Sequence, residues 1–370
     1  MFKKKIFSKF YKLIKIFIFF SFYKKIEKII KANETKNIDI KKIFFNGPIS
    51  YNFYKIPNGR IYSTTVHDTA FILDKNLIEE TSFQYRYDKN DRIFNAESKE
   101  NIVFKNGTPN FLKKINGSVF SLLCGGAGKN NYWHWIFDVL PRIGIFEKSN
   151  LKIKPNYYLL PSLSKKYQKE SLIGLKIFPS TFINGERYKH IMCDNLIAVD
   201  HPVNFENNPS KSILDIPYWI IDWLRKKYIK KNYKNLNTPK KIFIDSESNP
   251  LLRRIINNEE VKNILIKLDF KIISLSKLKF QDQIKLFRNA NFIIGLHGAG
   301  FANMVFSKPN TKIIEIASYK SGDVILNLAK KCKLNYKRII EKNLSYSLKF
   351  QNSHINVDIT KLKKLILSYT

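Results

Sequence analysis

The sequence predicts an α/β protein of two domains, and three observations carry that prediction. The chain has 370 residues, of which 44% are hydrophobic and 14% aromatic, enough apolar surface for sizeable cores at roughly 100–200 residues per domain. Its second half alternates short apolar runs with helical patterns, the signature of strands joined by helices in a parallel, doubly wound sheet. Only 14 glycines occur in the whole chain, yet two clusters of them follow apolar strands and open helices. That is where open α/β sheets hold ligands.

Residues 1–31 alternate lysine with large apolar residues. The run is too short and interrupted for a bilayer span, which needs ~20 apolar residues, and no small-residue cleavage site follows it. It is expected to form a basic amphipathic helix resting on an anionic membrane surface, or a helix packed on the protein itself. Residues 32–46 read as a polar linker. Short Tyr, Phe, Ile and Thr runs broken by turn residues from 53 to 104 predict strands and loops. A strand at 118–123 then feeds the loop Gly125-Gly126-Ala127-Gly128-Lys129, followed by Asn130 and Asn131, either of which suits a helix N-cap. On the helix that follows, His134 and Asp138 stand one turn apart on the same face. They can address one substrate together or satisfy each other in a core. Further on come a strand at 157–160, a helix at 165–175, a strand at 195–199 and a helix at 217–230.

The polar stretch 230–240 marks the expected domain boundary, giving a basic segment and linker (1–46), a first α/β domain (47–235) and a second (236–370). In the second, strands are expected at 241–244, 270–275, 291–294 and 312–316, and helices at 259–268, 281–289, 324–331 and 359–368. The strand 291–294 runs into Gly295-Leu296-His297-Gly298-Ala299-Gly300 and then turns helical. Backbone N–H groups at such a turn can reach a phosphate, and His297 can instead simply cap it. Arg253 and Arg254, after the loop that follows strand 241–244, offer guanidinium forks suited to a diphosphate. Glu315, at the end of the next apolar strand, could accept bonds from ribose hydroxyls.

Several classes are excluded or disfavoured. Leu123 and Asn130 stand where a Walker motif needs Gly and Ser/Thr, and G-x-x-G-x-G is not the dinucleotide fingerprint. No H-E-x-x-H, C-x-x-C or D-x-D occurs, so no metal ligands and no cofactor are expected. The net charge of +35 attracts polyanions, but it is spread as a general lysine bias without a nucleic-acid motif, so no nucleic-acid partner is expected. Cys124, Cys193 and Cys332 are odd in number and far apart, which points to a reducing, cytoplasmic compartment.

Taken together, N-Y-W-H-W-I-F-D-V-L-P-R, R-R-I-I-N-N-E, G-L-H-G-A-G-F-A-N-M-V-F and I-I-E-I, in this order, resemble glycosyltransferase family 61, many of whose bacterial members are capsular polysaccharide biosynthesis proteins. The resemblance covers about residues 117–330. It implies a GT-B architecture, two Rossmann-like domains facing across a cleft, and metal-independent, inverting transfer from a nucleotide sugar, typically UDP-linked, to a glycan or lipid-linked acceptor. It implies Asp138 as catalytic base with His134 beside it on the acceptor side, and His297, Gly298, Ala299, Gly300 and Asn303 on the donor side. One stretch departs from the family pattern. Where members commonly carry a further Arg, this chain has Asp245-Ser246-Glu247-Ser248-Asn249-Pro250, which leaves open a different donor, a bridging metal, or a non-catalytic binding homologue.

Overall fold

The computed structural model describes residues 13–14, 16–45, 48–63, 67–89, 93–123, 129–203, 213–230, 238–245, 253–319, 321–341 and 354–369. The first twelve residues of the basic segment, Cys124, the loop Gly125–Gly128 and the departure at 246–250 lie outside them. The chain divides into two compact units, Met1–Gln168 with Ile177–Ser212, and Lys169–Lys176 with Ile213–Thr370.

The division falls earlier than the polar stretch 230–240 suggests. Helix Tyr218–Tyr228 belongs to the second unit because its buried face packs there. The Tyr228 ring meets Phe280 and Phe306 edge-on at 5.0 and 6.2 Å, and its hydroxyl donates to the Ser171 carbonyl at 3.0 Å. Arg225 Nε donates to the Val305 carbonyl at 2.6 Å. Polar composition marks an exposed connection, and aromatic packing decides membership.

The first unit is built on a mixed sheet with twelve strands among the described residues, where the resemblance implied a parallel, Rossmann-like one. Its early strands are joined by connections too short for a crossover, so they can pair only antiparallel: Asp39–Phe44 with Ser50–Pro57, and Arg60–Ser63 with Asp68–Leu73. Strand His190–Val199 joins the two halves of the sheet. It is antiparallel to Ser50–Pro57 and Arg60–Ser63 and parallel to Lys113–Ser121. Parallel pairing then continues through Tyr157–Leu160 to Phe182–Asn184, and the helical stretch carrying His134 is the crossover between Lys113–Ser121 and Tyr157–Leu160.

The helix of the N-terminal segment ends earlier than expected. Helix ends at Tyr23, Lys24 takes a φ of 60°, and Lys28–Ile30 pairs in parallel with Asn76–Ile78. The supposed linker holds strand Asp39–Phe44.

The second unit is the doubly wound sheet read from the sequence. Among the described residues its five strands are Lys241–Ile244, Lys271–Ile273, Phe292–Leu296, Lys312–Ser318 and Asn335–Glu341, all parallel. Numbered along the chain, they lie in the order 2-1-3-4-5. The fifth, Asn-Tyr-Lys-Arg-Ile-Ile-Glu, was not anticipated. It is an edge strand with most of its side chains partly exposed, so it lacks the continuous apolar run of a central strand. Helix Ile359–Leu367, for which the sequence suggested no role, covers one sheet face: Leu362 and Ile366 join the core of Phe243, Phe292, Ile314 and Ile339.

Candidate functional site

In the first unit, Asn131 is the residue that caps the helix, its side-chain oxygen accepting from the Trp133 amide at 2.9 Å. Asn130 instead accepts from the Ser164 hydroxyl. The helix is not regular. Tyr132–His134 is α-helical, Trp135–Val139 forms a π turn and Leu140–Lys148 resumes the α-helix. The cause is Pro141, which has no N–H for the Phe137 carbonyl and whose ring would clash with it in an α turn. Widening the preceding turn, with the Leu140 amide bonding the Trp135 carbonyl, relieves that clash.

His134 and Asp138 lie on this widened turn. Asp138 Oδ2 is 2.5 Å from His134 Nδ1, and the carboxylate side chain is 8% exposed against 24% for the imidazole. Burial pushes the Asp138 carboxyl up, but His134, through charge and hydrogen bond, and the Arg142 guanidinium hold it below the usual carboxylate range. The Asp138 anion therefore lies behind the ring, with the imidazole outermost. Two neighbours were not singled out in the sequence. Arg142 is buried and donates to the Val199 carbonyl at 3.1 Å, although it closes the His134 motif. His201, which follows strand His190–Val199, is pushed down to about 3 by burial and stays neutral at neutral pH. No spacing rule ties His201 to Asp138, because a separate strand brings it there.

In the second unit, the 2-1-3-4-5 order places the reversal of the sheet between Lys241–Ile244 and Phe292–Leu296. Ligands of such sheets bind at the carboxyl ends of those two strands. His297 lies there. Its amide donates to the Ile316 carbonyl at 2.8 Å, its carbonyl accepts from Arg253 Nη1 at 2.5 Å, and its Nδ1 bonds Glu315 Oε1. The backbone and Nδ1 are thus fixed, leaving Nε2 as the other nitrogen of a side chain that is 15% exposed. Glu315 is not at a strand end offering its carboxylate to a ribose. It is fully buried within strand Lys312–Ser318, and its second oxygen accepts from the Tyr336 hydroxyl and, at 2.9 Å, from Arg338 Nε. Burial raises its pKa, but His297, Tyr336 and Arg338 together hold it below the usual range, an anion locked between three donors. Arg338 extends the network to Asp323 Oδ1 at 2.8 Å. Tyr336 and Arg338 were missed because the strand that carries them was missed.

The remaining candidates separate. Ala299 and Gly300 open the 3₁₀ helix Ala299–Phe306 that Gly298 precedes. A Cβ at Gly300 would come within 2.9 Å of Leu275 Cδ1, and one at Gly295 within 3.1 Å of Ile244 Cβ and 3.3 Å of the Phe301 ring, so packing accounts for both glycines. Gly298 differs: its backbone is extended, φ 176°, and a Cβ would meet only the Leu296 carbonyl at 3.6 Å. Neither strain nor protein packing requires glycine there. Asn303 is buried and donates to Gln283 Oε1 at 3.0 Å and to the Gly300 carbonyl, so it fixes the turn from within. Arg254 is exposed, its carbonyl accepting from the Ile355 amide; Arg253 is the member of the pair at His297. The acidic departure is partly compensated, since Asp245 Oδ2 is 2.8 Å from Lys262 Nζ. Among the described residues no group of three or more metal-ligating side chains occurs.

Comparison with known proteins matches residues 132–314, about half of the chain, to the family described as Glycosyltransferase 61. A beta-1,2-xylosyltransferase of Arabidopsis thaliana is 35% identical over 78 residues, a stretch covering 18% of this chain and 15% of that protein. The match thus spans far less than two thirds of that relative's length. The family match takes in His134, Asp138, Arg253 and His297 and ends one residue before Glu315.

Proposed function

Since the chain belongs to glycosyltransferase family 61, we propose that it is an inverting glycosyltransferase. It moves a sugar from a nucleotide sugar, UDP-linked in the family pattern, to a glycan or glycolipid acceptor in surface polysaccharide assembly at the inner face of the cell membrane. In this reading the chain is of GT-B type, the first unit serving the acceptor and the second the donor. The observation that carries it is the sheet reversal of the second unit, where a pinned histidine, an arginine and a glycine that the protein's own packing does not require come together.

The chemistry follows from the two clusters. The acceptor hydroxyl gives its proton to His134 Nε2 as its oxygen attacks the anomeric carbon, while Asp138 holds the ring and stabilises the imidazolium that forms. The resemblance assigns the base to Asp138 itself; the burial order favours the imidazole as the group that meets the hydroxyl. As the bond from the anomeric carbon to the diphosphate oxygen breaks, the electron pair leaves with the diphosphate. His297 Nε2, the backbone around Gly298 and Arg253 stabilise the charge that develops. No metal is assigned a part, so transfer is expected to persist in excess chelator.

Gly295, in strand Phe292–Leu296, and Gly298, after it, test the donor assignment. Gly295→Ala should lower stability by about 1–3 kcal/mol through overpacking and leave nucleotide affinity per folded molecule unchanged. Gly298→Ala should leave the melting temperature unchanged and weaken UDP binding at least tenfold. Equal melting temperatures and equal affinities for both variants would remove the basis for placing the donor here. A non-catalytic, donor-binding homologue is the second reading, favoured by the departure at Asp245-Pro250. Incubation with a panel of nucleotide sugars and lipid-linked acceptors, with product anomers read by NMR, separates the two. Donor binding without turnover would establish the second.

A further inference from the structure

Among its described residues, the helix ending at Tyr23 is apolar on both faces. Among residues 16–23 the inward row, Ile16, Phe19, Phe20 and Tyr23, covers the protein. Phe19 stacks on Tyr23 and meets Phe111 edge-on at 5.1 Å, Tyr23 meets His190 edge-on at 4.8 Å, and a Cβ on Gly107 would strike the Phe20 ring at 2.7 Å. The outward row should be polar on a helix that packs against a water-soluble surface. Instead it is Leu13, Ile14, Phe17, Ile18 and Phe22, all exposed, with Phe17 at 74% and Phe22 at 70%. Among the described residues Ser21 is the polar member of that row, and it turns its hydroxyl back to the Phe17 carbonyl at 3.3 Å.

A second segment adds to this surface. Phe111 is 83% exposed beside the helix, fixed there by the Leu112 amide, which donates to the Tyr23 hydroxyl at 2.9 Å. Exposed lysines flank both segments: Lys24 and Lys25 after the helix, Lys105, Lys113 and Lys114 around Phe111. The nearby acid Glu27 is paired with Lys75 at 2.6 Å. Among the described residues no helix is long and apolar enough to cross a membrane.

We infer that Leu13, Ile14, Phe17, Ile18, Phe22 and Phe111 form one surface that inserts into the headgroup region of an anionic phospholipid bilayer, with the flanking lysines on its phosphates. An apolar face with a cationic rim matches that boundary, where rings enter the acyl edge and ammonium groups stay at headgroup level. Phe111 makes the inference specific, since a free N-terminal anchor would have no use for a ring more than eighty residues away in the chain. The inference is independent of the transfer chemistry.

The test is co-sedimentation of the full chain with vesicles of phosphatidylglycerol and phosphatidylcholine, or of phosphatidylcholine alone. A protein this basic binds anionic vesicles to some extent regardless, so the informative variants leave charge unchanged. Phe111→Ser should lower partitioning onto the mixed vesicles several-fold, and Phe17→Ser/Phe22→Ser/Phe111→Ser at least tenfold, with circular dichroism unchanged because all three rings are exposed. Full partitioning of the triple variant would overturn the inference. So would a stable dimer in lipid-free buffer that the triple variant dissolves, because the face would then be a contact between copies of the chain.

Discussion

Asp138→Asn should lower sugar transfer by about 10³–10⁴-fold while leaving donor affinity unchanged, the scale seen when the anion behind a catalytic imidazole is removed. The reason is the tautomer. Asp138 accepts from Nδ1, so Nε2 carries the lone pair that can take a proton. An asparagine amide donating to Nδ1 would put the ring proton on Nε2 and remove the base. His134→Gln should cost a similar factor, and the double variant little more than either single one, because the two residues act as a unit. Single-turnover rates would show this. A dead Asp138→Asn beside a His134→Gln that retains most of its rate would assign the base to Asp138 directly. The pH profile separates the same alternatives. The Asp138 carboxyl is held below the usual carboxylate range, so a rate carried by it alone is flat from about pH 5 upward, where an ordinary carboxylate is already ionised. A rate that still falls on acidification above that pH is not carried by this carboxylate alone.

Glu315→Gln is expected to cost about 3–5 kcal/mol at neutral pH, the usual consequence of removing one partner from a buried charged network. The carboxylate accepts from His297, Tyr336 and Arg338 with no exposed surface; the amide would present a donor to one of them. The sign of the pH dependence follows from the lowered pKa. The native carboxyl binds its proton less readily than the unfolded one, so its contribution is present above the unfolded value of about 4.3 and is lost as pH falls through the native one. Denaturant unfolding should therefore show a large gap between wild type and variant at pH 7 that narrows below pH 4. A gap independent of pH would mean that shape, and not charge, is what Glu315 supplies. His297 is released from its orientation in the same variant, so nucleotide binding should weaken in the molecules that remain folded.

Much of the second unit was legible in the sequence because its central strands are continuous apolar runs set off by helical periods. The strand Lys241–Ile244 and the helix Val324–Lys331 have the bounds the pattern suggests. What the pattern could not give lies at edges and between distant segments. Asn335–Glu341 reads as polar because it closes the sheet, and with it Tyr336 and Arg338 were lost. The first unit misled in another way. Its strands were recognisable as short β segments, but pairing direction depends on connection length and on where His190–Val199 inserts, neither of which a local period encodes. At the candidate site, the helical spacing of His134 and Asp138 was visible, whereas the π turn required weighing Pro141 four residues after Phe137. The order of burial, which bears on which of the two meets the substrate, is a tertiary property. Glu315 was noticed for the right reason, a carboxylate in an apolar strand, and given the wrong neighbours, since the donors facing it come from His297 and from the unrecognised strand.

Donor binding is assigned to the second unit and proton transfer to the first. Isothermal titration of UDP into the wild-type chain, Asp138→Asn and His297→Ala, each shown to be folded by circular dichroism, tests it most directly. Affinity should be equal for wild type and Asp138→Asn, and fall tenfold or more for His297→Ala. No binding of UDP or any other nucleoside diphosphate to the folded wild type, or equal loss in both variants, would contradict it.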